Sequence, residues 1–290
     1  MCGIAVAISP PGTKDCSWAA QRGLPKQHHR GPHARGIEAI SLPGAQVSAG
    51  MCRLKIVDQS ALDVPFRYPR LGITLAFNGE IYNWRQLRQD LPGPWETNCD
   101  AEVLAAAWRH WGEQCLYKLN GMWGFVLIDE WEQEIVLCRD RLGQKPLYWT
   151  MRGKRLYISS EAKSLPGALE TAACDDCEAL EYDVRESTPL LGVYRIPPGS
   201  IAVLHEPKEP VPRPWWNMPE YTPALTLEQG AEELESLLVD SVRLRTEAEV
   251  PVAMMLSGGV DSSILATIAK KQSLPVAFYC MHFSEGHVDH

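Results

Sequence analysis

The chain has 290 residues, 45% hydrophobic and 22% charged, enough apolar material for one large or two ordinary domains and too much for a disordered protein. Its net charge of −8 is uneven: residues 1–205 carry 22 Lys and Arg against 23 Asp and Glu, residues 206–290 carry 6 against 13. That balance argues against nucleic acid and anionic membranes as partners.

The N-terminus, MCGIAVAISPPG, has a strand-like run, Ile4–Ile8, and lacks the basic flank of a signal peptide. No run of apolar residues is long enough for a membrane-spanning helix, and the nine scattered cysteines suit reduced thiols, so the expected setting is cytoplasmic. Further strands are expected at Ile73–Phe77, Trp123–Ile128, Ile135–Cys138 and Leu156–Ile158. Helical spacing of Val103, Leu104, Ala107, Trp108 and Trp111 predicts a helix over Asp100–Trp111, and a shorter one should cover Trp84–Leu91. Six prolines between Pro207 and Pro223 predict an extended connector. Beyond it, Thr226 and Gln229 form a capping-box pattern for a helix to about Arg245, with Leu227, Ala231, Leu234, Leu238 and Val242 as its apolar stripe. A buried strand at Val250–Leu256, the loop SGGVDSS, a helix and a strand at Val276–Phe283 then read as the start of a parallel α/β domain.

Several residue types point to chemistry. Removal of Met1 would leave Cys2 with both a thiol and an α-amine, a nucleophile beside its own base, although an ordinary buried cysteine fits the same position. The segment FNGEIYN reads as a polar turn after a strand, and Asn78 with Gly79 could donate to an oxyanion there or simply form an Asn-Gly turn. Arg53 and Asp100 suit the carboxylate and ammonium of an amino acid, while Asp100 also suits a helix N-cap. The glycine loop at 257–263 exposes amides at a helix start, a phosphate cradle without the Walker lysine, and Asp261 could hold magnesium. Cys174 and Cys177 have metal half-site spacing with no second half, and His28 and His29 read as surface residues of a Gly/Pro-rich loop.

Taken together, MCGIAVAI, HHRGPHARG, CRLKIVD, FNGEIYNWRQLR, CDAEVLAAAWRHWG, LNGMWGFVLID, RDRLGQKPLYW, SSEAKSL and SGGVDSS resemble, in order, the glutamine-hydrolysing asparagine synthetase family. The resemblance implies an α+β fold: an Ntn-hydrolase αββα sandwich (a class II glutamine amidotransferase domain) followed by the start of an α/β PP-loop ATP-pyrophosphatase domain. The implied limits are 1–206 for the glutaminase domain, 207–224 for the linker and 225–290 for the partial synthetase domain. It implies Cys2 as nucleophile, Asn78 and Gly79 as oxyanion hole, and Arg53, Leu54, Ile56, Val57, Glu80 and Asp100 as glutamine contacts. Leu256, Ser257, Gly258, Gly259, Asp261 and Ser262 would meet ATP and pyrophosphate, with Asp261 on magnesium. Glutamine, aspartate and ATP are the implied substrates; a homodimer is left open. Two departures stand out: HRGPD of the family reads HRGPH, placing His33 at its acid, and 27 residues follow Ser263. The expectation is a chain that hydrolyses glutamine and makes no asparagine unaided. An amidotransferase acting on another carboxylate, and a non-catalytic regulatory remnant, are the alternatives.

Overall fold

The computed structural model describes residues 1–13, 18–58, 64–168, 188–220 and 225–281. Its backbone forms two compact units, Met1–Met218 and Pro219–His290. The Cys174–Cys177 pair lies outside the described residues.

In the first unit, β1 (Gly3–Ser9) is followed by a turn of π-helix at Ala19–Gly23 and a 3-10 helix at Pro25–Arg30. Then come β2 (Ala34–Leu42), β3 (Ala45–Arg53), β4 (Phe66–Tyr68) and β5 (Ile73–Ile81). Three helices, α1 (Trp84–Asp90), α2 (Asp100–Trp111) and α3 (Cys115–Lys118), precede β6 (Gly121–Asp129) and β7 (Glu134–Arg139). The unit continues through β8 (Tyr148–Arg152), β9 (Arg155–Ser159), β10 (Tyr194–Arg195), β11 (Ser200–Leu204) and β12 (Arg213–Pro214).

These strands make two six-stranded antiparallel sheets, ordered β10-β8-β9-β1-β3-β2 and β12-β11-β7-β6-β5-β4. They face each other through Ile4, Val6, Ile8 and Val47 on one side and Ala76, Val126, Ile128 and Leu137 on the other. The outer face of the first sheet is small at β1, where Ala5 packs under Ala19 and Leu24. The outer face of the second carries Leu75, Phe77 and Phe125, covered by Val103, Leu104 and Ala107 of α2. Both faces of β1 are thus covered, and all seven of its residues are buried. This is a helix–sheet–sheet–helix sandwich.

The structure departs from the sequence expectations in identifiable places. Asn78, Gly79 and Glu80 are strand residues paired with Gly124, Trp123 and Met122, so the polar segment does not turn until after Ile81. A Cβ on Gly79 would sit 2.3 Å from the Met122 carbonyl oxygen, so only glycine keeps the strands in register here. The N-cap of α2 is Cys99 rather than Asp100, whose carboxylate is drawn to the end of β5 instead. His28 and His29 are exposed, as expected, but belong to the 3-10 helix rather than a loop, and His29 Nε2 meets Glu161 at 2.8 Å. Residues at the start of the proline-rich segment build onto the first unit: β12 pairs with β11, and Trp215 is buried against it.

The second unit holds α4 (Leu227–Thr246), β13 (Val252–Leu256), α5 (Val260–Lys271) and β14 (Val276–Cys280), with β13 and β14 parallel. Thr226 and Gln229 close the expected capping box. The stripe of α4 is only partly buried: Val242 and Leu238 pack against α5, whereas Leu227 and Leu234 are 86% and 56% exposed. Among the described residues, one helix and two short strands supply too little surface to cover a twenty-residue helix.

Candidate active site

Side-chain alternation along strands assembles the site. On β1, Ile4, Val6 and Ile8 face the space between the sheets, and the same period brings Cys2 there just before the strand begins. Gly3 pairs with Cys52 of β3, so Arg53 ends its strand next to Cys2. From the opposite sheet, the period that turns Ala76 inward also carries Asn78 and Glu80. One end of the inter-sheet space is therefore polar where the rest is aliphatic.

A cavity enclosing about 520 Å³, part of it open to solvent, occupies this end. Cys2, Arg53, Leu54, Ile56, Val57, Asn78, Gly79, Glu80 and Asp100 all line it, so every residue expected for glutamine handling is brought together. Lys145, Cys99, Met51 and Met122 also line it, and nothing in the sequence alone singles them out. Lys145 was legible only as part of RDRLGQKPLYW, a motif whose position relative to Cys2 depends on the fold.

Cys2 Sγ lies 3.9 Å from the Leu54 carbonyl oxygen, and Arg30 Nε donates to the Cys2 carbonyl at 2.9 Å. Burial pushes the Cys2 thiol up, so its proton must go to a base. Burial also lowers the α-amine at Met1. Both Asn78 side-chain polar atoms are buried without a hydrogen-bond partner among the described residues. Leaving such a carboxamide unpaired costs about 1–3 kcal/mol per group, which a strand interior tolerates where a ligand completes it.

Arg53 is 4% exposed and held in place: Nη2 donates to the Val57 and Asp58 carbonyls at 2.9 and 3.2 Å, and the guanidinium stacks over Phe66. Asp100 Oδ2 accepts from the Ile81 N–H at 2.8 Å. Burial pushes the Asp100 carboxyl up against that bond, and burial with the neighbouring Asp100 raises Glu80 to about 8. Glu80 and Asp100 thus set two buried carboxyls side by side in the cavity, a place for a cation. His33 Nδ1 accepts the Lys55 N–H at 3.1 Å, and the His33 backbone N–H donates to the Arg53 carbonyl at 3.1 Å. The His33 side chain and backbone thus brace the segment from Arg53 to Lys55.

A family model described as glutamine amidotransferase domain matches residues 1–216. The chain belongs to the glutamine amidotransferase domain family. A second model, described as asparagine synthase, matches residues 233–290. An asparagine synthetase [glutamine-hydrolyzing] of Bacillus subtilis is 31% identical over 271 residues, covering 89% of this chain and 42% of the relative. A protein of Gibberella zeae named amidase chry2 is 32% identical over 286 residues, covering 92% of this chain and 42% of the relative. The chain spans less than half the length of both. A solved glutamine phosphoribosylpyrophosphate amidotransferase from B. subtilis superposes with a TM-score of 0.53 at 17% identity, covering 96% of this chain and 65% of that one. That likeness is one of fold, and the amidotransferase sandwich is of the Ntn-hydrolase type.

In the second unit, Leu256 ends β13, Gly258 has φ of +83°, and Gly259 caps α5. Ser257 Oγ lies 3.2 Å from Ser262 Oγ and accepts from the Gly259 N–H at 3.3 Å, which folds the loop over the helix start. Asp261 sits in the first turn of α5. Among the described residues, no helix is long and apolar enough to cross a membrane.

Proposed function

We propose that the first unit hydrolyses glutamine through Cys2 and that the second binds ATP to activate an acceptor carboxylate for amidation. The observation that carries the first part is the convergence of Cys2, Arg53, Asn78, Glu80 and Asp100 on one cavity from both sheets and α2. With Met1 removed, the α-amine of Cys2 takes the thiol proton and Sγ attacks the side-chain amide carbon of glutamine. Asn78 Nδ2 and the Gly79 N–H would receive the oxyanion. The amine returns its proton as the carbon–nitrogen bond breaks, releasing ammonia and leaving a thioester, which water converts to glutamate. Arg53 would take the substrate carboxylate, and Glu80 with Asp100 its ammonium, whose positive charge favours the ionised form of both carboxyls. Met1 lines the same cavity, so its removal would also enlarge the site. In this reading the glutaminase domain runs to about Met218, because β12 and Trp215 pack onto it.

In the second unit, Ser257–Ser262 would cradle the phosphates at the start of α5. Asp261 would give one oxygen ligand to magnesium, with nucleotide phosphates completing the shell, since no cluster of three or more His, Cys, Asp or Glu among the described residues could hold a metal. Aspartate is the acceptor suggested by the asparagine synthetase relatives, and a cytoplasmic setting suits that chemistry. A relative not named as an asparagine synthetase is as similar to this chain as one that is, which leaves room for a second reading in which another carboxylate is amidated. Feeding the complete gene product aspartate or other carboxylates with ATP and glutamine separates the two.

The test of the first part is glutamate release by protein whose N-terminus is Cys2 by mass spectrometry. Cys2→Ala should lose at least about 10³-fold in rate with its thermal unfolding unchanged. Full activity in that variant would overturn the reading.

A further inference from the structure

The turn between β7 and β8 is held by more polar contacts than a surface connection requires. Asp140 is fully buried, and its carboxylate accepts from the backbone N–H groups of Trp123, Leu142, Gln144 and Lys145 at 2.9–3.1 Å. Arg139 donates to the Lys145, Ile196 and Gly143 carbonyls at 2.7, 2.9 and 2.6 Å. Gly143, at φ of +65°, lets the chain reverse inside this cage. Burying a carboxylate and a guanidinium is costly unless their bonds define something. What they define is the position of Lys145, whose backbone is gripped at both its N–H and its carbonyl.

The Lys145 side chain is not absorbed by this cage. It is 8% exposed, forms no ion pair or side-chain hydrogen bond among the described residues, and lines the cavity with Cys2 and Glu80. The charged and titratable groups around it are Arg30 of the 3-10 helix, Asp140 of its own turn, Glu80 of β5, the thiol of Cys2 and the amine of Met1, one residue before the position that the Cys2 amine takes once Met1 is removed. Asp140 spends its oxygens on backbone amides, and Arg53 adds positive charge to Cys2 from β3.

We propose that Lys145 is a positioning residue of the glutaminase site, its ammonium favouring the thiolate of Cys2 and keeping the N-terminal amine unprotonated as its base. The inference rests on the glutaminase reading. Its ammonium repels a proton on the amine and attracts negative charge on sulfur, so both equilibria move toward the reactive pair. Glu80 opposes it across the cavity and limits the excess of positive charge.

The test compares Lys145→Gln and Lys145→Arg, each with Met1 removed, in two measurements: the pH profile of kcat/KM for glutamine hydrolysis, and the pH dependence of Cys2 alkylation by iodoacetamide, which needs no turnover. In Lys145→Gln, both the acid limb and the alkylation midpoint should move up by about one pH unit. In Lys145→Arg, which keeps the charge, both should stay near the wild-type position. Unchanged midpoints in a folded Lys145→Gln protein would overturn the proposal, as would equal shifts in both variants. Absence of glutaminase activity in the wild-type protein would instead overturn the underlying reading, so the two failures are distinguishable.

Discussion

Asn78 shows how the site sets function against stability. Its carboxamide sits in a strand with both polar atoms buried and unpaired, an arrangement that favours a ligand and penalises the empty protein. Asn78→Ala should therefore lower glutamine hydrolysis by about 10²–10³-fold while urea unfolding shows equal or greater stability. Glu80 carries a pH signature. Its folded value of about 8 lies above the ordinary carboxylate value of about 4.3, so between those limits the native protein binds a proton that the unfolded chain has lost. Stability contributed by protonated Glu80 is present at low pH and fades as pH rises through about 8. Glu80→Gln removes that slope, so its stability relative to wild type should grow between pH 5 and pH 9 in the absence of glutamine; urea midpoints at the two pH values check it. His33 illustrates a residue whose meaning depended on geometry: in the string HRGPH it is a departure, but in the fold it is a hydrogen-bond acceptor for Lys55.

At the scale of elements, proline density predicts a connector over 207–224, yet part of that segment completes the second sheet. Pro214 in β12 is compatible with that because the strand lies at the sheet edge, where a missing N–H donor costs little. Trp215 anchors it, stacking on Trp123 with ring centroids 5.7 Å apart and donating from Nε1 to the Arg139 carbonyl at 3.0 Å. Trp215→Ala should cost about 3–5 kcal/mol in denaturant unfolding of the first unit, and the lost support for Arg139 should loosen the turn that carries Lys145. Helix α2 was legible almost to the residue, since its apolar spacing is long and regular. The sequence pattern does not announce strands β2, β3, β4, β8, β10, β11 and β12. β2 alternates half-buried and exposed positions, and its neighbours rather than its composition make it a strand.

For the whole molecule, the two units differ in how much apolar surface they bury. The first has continuous cores between and outside its sheets, whereas in the second Leu227, Met255, Val260 and Tyr279 are all more than half exposed. Local stability follows buried apolar contacts, so limited proteolysis should degrade residues 219–290 first and leave a resistant fragment ending near Met218, read by mass spectrometry. Equal resistance of the two units would contradict this. The charge asymmetry falls along the same division, with 11 acidic against 4 basic residues after Met218.

The sequence by itself determined the chemical alphabet of this protein: an N-terminal cysteine, an Asn-Gly pair, a guanidinium, two carboxylates and a glycine loop, in an order that carries a family resemblance. It also determined helices α2 and α4 and the hydrophobic strands, because periodicity and capping are local. Only the tertiary structure decided which of these residues meet. Cys2 and Asp100 are joined through two sheets and a helix, and Lys145 reaches them from a turn whose buried Arg139 and Asp140 look, in sequence, like ordinary surface charges. Burial decided their chemistry as well. A carboxyl such as Glu80 titrates near 4 in water and near 8 here because the fold removes its solvent and sets Asp100 beside it.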